Sequence, residues 1–195
     1  TTLKSMLIGL VVGAVVVAYR LVLAAAEEQC FVIYGYLRDH LLLIPVALVA
    51  LATVGWLIGL LVSKSRMISG SGIPQVKGII MGYFRHHWLA TLAAKFLGGT
   101  MSILAGLSLG REGPSIQLGA CVGEGMGDKM AATRTEKKVL IASGASAGLA
   151  AAFNAPMAGA IFALEEIFKY ISPVILLSTM MSAVTADLVS SVVFG

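Results

Sequence analysis

Charge is what this 195-residue chain most conspicuously lacks. Asp, Glu, Lys and Arg make up 12% of it, against about 25% in soluble domains. That deficit, spread over several long apolar runs, excludes an ordinary soluble domain and points to a polytopic membrane protein. Mean hydropathy is +0.92. Cysteine is scarce: Cys30 and Cys121 fit no metal-ligand spacing and indicate no disulfide framework. The net charge of +4 is too small for a nucleic-acid surface and reflects loop asymmetry instead. No P-loop, Gly-x-Ser-x-Gly elbow or Rossmann fingerprint is present. His86 and His87 are adjacent and splay apart, with no carboxylate or cysteine at a ligand spacing. Neither enzyme chemistry, a cofactor nor a bound metal is therefore expected.

What is present is a series of apolar runs. The first, Met6 to Ala26, is interrupted by Arg20, and its length without a cleavage site marks a retained span. A loop is expected over residues 27–40, which hold Glu27, Glu28, Arg38 and Asp39. The second run, Leu41 to Val62, is uncharged and as a helix would reach roughly 33 Å, enough to cross a bilayer core. The positive-inside rule places Lys4 and Lys64/Arg66 in the cytoplasm. A third run, Leu89 to Leu109, contains Lys95. The basic aromatic turn from Tyr83 to Trp88, including Arg85, has the composition of an interfacial anchor. A polar, cytoplasmic stretch is expected at 128–138. A small-residue helix then runs from Val139 to Phe153, another from Pro156 to about Tyr170, and the last run spans Val174 to Phe194. The start at Thr1-Thr2 reads as a trimmed chain.

Two patterns recur. A glycine-rich break followed by proline and a short helix occurs at 70–74 and 110–114. Interrupted helices inside a membrane are tolerated only where freed backbone is buried or lines a cavity, and half-helix N-termini suit anionic substrates. Gly-x-x-x-Gly recurs at 9–13, 55–59, 78–82, 106–110, 119–123, 123–127 and 144–148, so nearly every helix is expected to pack against another.

The stretch Gly110-Arg111-Glu112-Gly113-Pro114 puts two charges into apolar surroundings. Pro114 starts a helix, so Glu112 should lie just before an N-terminus that favours an anion. An ionised carboxylate at the bilayer centre costs roughly 2.5–3.5 kcal/mol; a helix end returns about 0.3–1, and up to ~2 when partly buried. The two are comparable, so Glu112 should sit near its protonation balance, with Gly110 and Gly113 leaving room to swing. Such a group couples proton binding to anion binding. The plain alternative is a membrane-edge carboxylate paired with Arg111. Ser71 offers a hydroxyl and, with Gly72 and Ile73, N–H groups that bind an anion weakly enough to release it; a simple turn serine is the alternative. Glu165 can reach Lys169 at i,i+4. Glu166 can pair with the same lysine, remain a solvated helix end, or serve as a proton relay entered from the cytoplasm. Lys95 and Arg20 must pair or face protein; Lys95 either sets the local potential or forms a structural salt bridge.

These residues carry a resemblance. Gly70-Ser71-Gly72-Ile73-Pro74, Gly110-Arg111-Glu112-Gly113-Pro114, and Phe153-Asn154-Ala155-Pro156 followed by Glu165-Glu166 resemble, in order, the motifs of the CLC family of chloride channels and chloride/proton exchangers. The resemblance implies an all-α polytopic membrane fold, with residues 1–195 a single transmembrane domain. That domain would be the first of two inverted repeats, with about eight long, short and interrupted helices. It implies that Ser71, with Gly72, Ile73 and Gly113, holds chloride, that Glu112 gates the path, and that Glu166 passes protons to Glu112. Lys95 and Arg111 would support the site electrostatically. Glutamate rather than an apolar residue at 166 favours an exchanger, and serine rather than proline at 71 favours chloride over nitrate.

The expected function is chloride/proton antiport in a plasma (inner) membrane, with a cytoplasmic N-terminus, no cofactor, chloride and protons as substrates, and a homodimer among lipid. The family's second repeat, with its Gly-x-Phe-x-Pro stretch and chloride-coordinating tyrosine, does not lie in this sequence. The alternatives are a passive voltage- or pH-gated chloride channel and, from another class, a non-transporting membrane scaffold fragment.

Overall fold

The computed structural model describes every residue except Arg85 and Ile171, and the backbone but not the side chain of Leu41. The Arg85 part of the expected interfacial turn therefore lies outside the described residues. Among the described residues the fold is all-α, with eight α-helices: α1 (Thr2–Asp39), α2 (Ile44–Lys64), α3 (Ile73–Met81), α4 (Trp88–Leu104), α5 (Glu112–Met130), α6 (Arg134–Phe153), α7 (Pro156–Phe162) and α8 (Pro173–Phe194). Helices α1, α2 and α8 are long and apolar enough to cross a membrane.

Several boundaries differ from the sequence expectation. The loop expected at 27–40 is the end of α1, a 38-residue helix about 57 Å long. Charge ends the apolar run there but not the helix, because Glu, Gln and Leu are good helix formers and no proline intervenes. The third run stops at Leu104 rather than Leu109: Gly106 takes φ +89°, and Leu107–Gly110 has no regular structure. Helix α6 begins at Arg134, inside the stretch expected to be a polar loop. Thr133 caps it by accepting from the Glu136 N–H at 3.1 Å, while Glu136 accepts from the Ala132 N–H at 2.7 Å. This reciprocal arrangement resembles a capping box. The helix after Pro156 changes to a π-helical turn over Ala163–Phe168 and ends at Lys169, φ +60°.

Helices α5 and α6 form the centre, crossed by α1 and α8. Gly119 and Gly144 lie at the α5–α6 crossing, where a Cβ on either would strike the other's carbonyl oxygen. The small side chains of α6 (Ala142, Ala145, Ala147 and Ala150) are all fully buried. The expectation that nearly every helix packs through Gly-x-x-x-Gly fails at α2. A Cβ on Gly55 or Gly59 would meet nothing within 4 Å, and α2 contains no buried residue, because it packs mainly along one side of α4 and its flanking turns. Arg20 faces protein: its Nη1 donates to the Ala151 carbonyl at 2.7 Å and to Ser190 Oγ at 2.8 Å, and the guanidinium lies 3.9 Å from the Phe194 ring centroid. Lys4 donates to the Met130 carbonyl at 2.7 Å and to Glu136 at 2.8 Å. The start of α1 and the α5–α6 turn therefore share one end of the molecule.

Candidate functional site

Two interrupted segments meet. The first runs from a 3₁₀ turn at Arg66–Ile68 through Ser71 into α3; the second runs from Gly106 through the unwound 107–110 stretch into α5. Gly72 takes φ +94°, a conformation available to glycine at little cost, and Pro74 lies in the first turn of α3. Gly113 is the point of contact: a Cβ there would lie 2.5 Å from the Ser71 carbonyl oxygen and 3.1 Å from its Cα. No larger residue permits this approach.

Glu112 is the first helical residue of α5 rather than the one before it, with Arg111 at the cap position. Its carboxylate folds back over Gly110, where a Cβ would lie 2.5 Å from Oε2. No ion pair with Arg111 forms among the described residues, so the membrane-edge pair is not what the fold builds. Arg111 is exposed and does not line the cavity that forms here, a space of about 460 Å³ bordered by Ser71, Lys95, Gly110, Glu112, Gly113 and Pro114.

Lys95, in the middle of α4, is buried (6% exposed). The structural salt bridge weighed for it is not formed among the described residues. Its ammonium instead donates to the carbonyls of Ile68 at 2.9 Å and Gly70 at 2.7 Å. Two further side chains hold the same loop: Gln117 of α5 donates to the Met67 carbonyl and Gln75 of α3 to the Ser69 carbonyl, each at 2.6 Å. Nothing in the motifs singles out either glutamine. The only signal was a glutamine at a core position of an otherwise small-residue helix.

Glu165 and Glu166 lie elsewhere, on the π-helical turn, lining a separate space of about 600 Å³ with Lys169 and Tyr170. Both are exposed, and the expected Glu165–Lys169 pair is not made. The wider π turn breaks i,i+4 register, and Lys169 leaves the helix at positive φ. The structure therefore brings Ser71, Gly72, Ile73, Lys95, Glu112 and Gly113 into one neighbourhood and leaves Glu166 and Arg111 outside its cavity.

The turn before α4 is less interfacial than its composition suggests. Trp88 packs on Gly125 of α5, and His86 Nε2 approaches Glu124 Oε2 at 3.3 Å.

Comparison with known proteins places the fold in a family. A family model described as voltage gated chloride channel matches residues 50–195. An H(+)/Cl(-) exchange transporter ClcA of Vibrio cholerae is 40% identical over 131 residues, 65% of this chain and 28% of the relative. The ClcA exchanger of Salmonella arizonae is 33% identical over 98% of this chain and 41% of the relative. The chain thus spans well under half the length of these relatives. Among solved structures, a slow cyanobacterial Cl-/H+ antiporter superposes with a TM-score of 0.88 at 30% identity, covering 100% of this chain and 47% of that one. A eukaryotic CLC transporter gives 0.82 at 25% identity, covering 98% and 38%. An all-α membrane fold and the join of two interrupted helices at Ser71 and Glu112 now accompany a family-model match over three quarters of the chain: the chain belongs to the voltage-gated chloride channel (CLC) family and is an integral membrane protein.

Proposed function

We propose that the protein moves chloride across a membrane in exchange for protons, and that residues 1–195 are the first repeat of the subunit that does so. The observation that carries this reading is the contact of Gly113 with Ser71, which sets the starts of α3 and α5 side by side at one cavity. The first N–H groups of a helix lack intrahelical partners, and its dipole favours an anion. Chloride would bind against Ser71 Oγ and the N–H groups of Gly72, Ile73 and Gly113, with Lys95 holding positive charge behind the loop and Arg111 adding charge at the approach. Protonation of Glu112 would free it to leave the anion path, and its return would displace chloride; one carboxylate thus links the two ions. Glu166 would take protons from the cytoplasmic side, across a gap this half of the pore leaves open.

The names of the ClcA relatives and of the cyanobacterial antiporter support exchange over passive conduction. A second repeat would supply the other wall of the site, and the exposed faces of α7 and α8 would pair two subunits. A plasma (inner) membrane location with a cytoplasmic N-terminus follows from the positive-inside rule applied to Lys4, Lys64 and Arg66. The test is flux in liposomes containing the full subunit. A chloride gradient should drive protons uphill in the wild type, and Glu112→Gln should keep chloride flux while losing proton movement. Chloride flux with no uphill protons in the wild type would favour a channel; no chloride flux at all would favour a scaffold.

A further inference from the structure

The backbone of the Ser71 loop is held in an unusual way. Four successive carbonyls, Met67 to Gly70, each accept a hydrogen bond from a side chain. Gln117 serves the first, Lys95 the second and fourth, and Gln75 the third. The donors come from α5, α4 and α3. A carbonyl oxygen is the negative end of a peptide dipole, and four of them next to an anion site would repel the ion. Donors placed on each one cancel that field and leave the N–H groups after Gly70 to face the cavity.

Gln117 stands out among the three. Its side chain is fully buried, and it lies on the same helix as Glu112, a little over one turn further on. It packs so closely on Gly72 that a Cβ there would lie 2.6 Å from its Oε1 and 2.8 Å from its Cβ. That Oε1 has no hydrogen-bond partner. A leucine would fill the same volume without stranding a buried acceptor, so packing alone does not account for an amide here. The donor on Met67 does.

We propose that Gln117 is a positioning residue of the anion site: its amide caps the Met67 carbonyl and fixes the Ser71 loop against the helix that carries Glu112. This rests on the reading of the Ser71–Glu112 cavity as the chloride site. The test is calorimetric titration of the detergent-solubilised full subunit with sodium chloride, across pH, for the wild type, Gln117→Leu and Gln117→Glu. Gln117→Leu should bind chloride about tenfold more weakly, the worth of roughly one hydrogen bond to the loop. Gln117→Glu should be weak at neutral pH and recover toward wild type as pH falls. A protonated carboxyl can donate to the Met67 oxygen, and an ionised one cannot.

An ionised carboxylate at this position also repels chloride by its charge, so the decisive reading is at acid pH: a Gln117→Glu variant that stays well below the wild type once its carboxyl is protonated overturns the proposal. Wild-type affinity in a folded Gln117→Leu overturns it equally. If the leucine variant does not fold, the near-isosteric glutamate series decides. A wild type that binds no chloride removes the anion-site reading itself, and this inference with it, whereas normal wild-type binding with unaffected variants removes this inference alone.

Discussion

Lys95 is a buried ammonium whose hydrogen bonds go to two backbone carbonyls, so its positive charge is not cancelled by an acidic partner among the described residues. Charge of that kind acts on the adjacent cavity at short range, where screening by salt is weak. Lys95→Met removes the charge and uncaps the Ile68 and Gly70 carbonyls together. Chloride affinity should fall by more than about tenfold, the equivalent of ~1.4 kcal/mol, measured by the same calorimetric titration. Lys95→Arg should recover only part of it, because a planar fork cannot place its donors as a compact ammonium does. An affinity unchanged in Lys95→Met would remove the electrostatic role. The sequence marked Lys95 as a charge needing a partner but not what partner. Carbonyls as recipients follow only from the loop's path, which is non-local in sequence.

At the scale of helices, the α5–α6 crossing and α2 make a matched pair. Gly144→Leu puts a side chain where the Gly119 carbonyl already sits; overpacking of this kind costs about 1–3 kcal/mol or more. Gly55→Leu meets open space and should change stability by no more than ~0.5 kcal/mol. Thermal unfolding in detergent should separate the two, although both glycines sit in identical Gly-x-x-x-Gly spacing. The turn before α4 gives a pH prediction. Burial holds the His86 imidazole below its ordinary value of 6.5, against the opposing pull of Glu124. The unfolded chain therefore takes up the proton first, and stability contributed by this docking falls as pH drops through about 6.5. His86→Gln should flatten the dependence of melting temperature on pH between about 8 and 5, the range that brackets imidazole titration. An unchanged slope would place the acid sensitivity elsewhere.

Across the whole molecule, the start of α1 is tied to the start of α6 by Lys4 and Glu136. The hydrogen bond from Lys4, then that from the Ala132 N–H, holds the Glu136 carboxyl down to about 2 from an ordinary 4.5. Stability from this tie is complete above pH 4.5 and is lost as pH falls toward 2. Acid unfolding of Glu136→Gln should accordingly be flatter across that window, read by circular dichroism. The proposed pairing of subunits predicts that Leu177→Arg, on the exposed face of α8, yields a folded monomer by size-exclusion chromatography with light scattering; a dimer of unchanged mass would move the interface elsewhere. Local chemistry was enough to read the all-α membrane class and the breaks at 70–74 and 110–114, which carry the proposed site residues Ser71 and Glu112. Apolar run length, proline and glycine act within a few residues of themselves. Tertiary packing alone decided the rest: that a Cβ on Gly119 or Gly144 would strike backbone while one on Gly55 or Gly59 meets open space, and that two glutamines and a lysine from three helices hold one loop. Those outcomes depend on which surfaces meet, and Lys95 and Gln117, about 25 to 50 positions from the carbonyls they cap, leave no local pattern that says so.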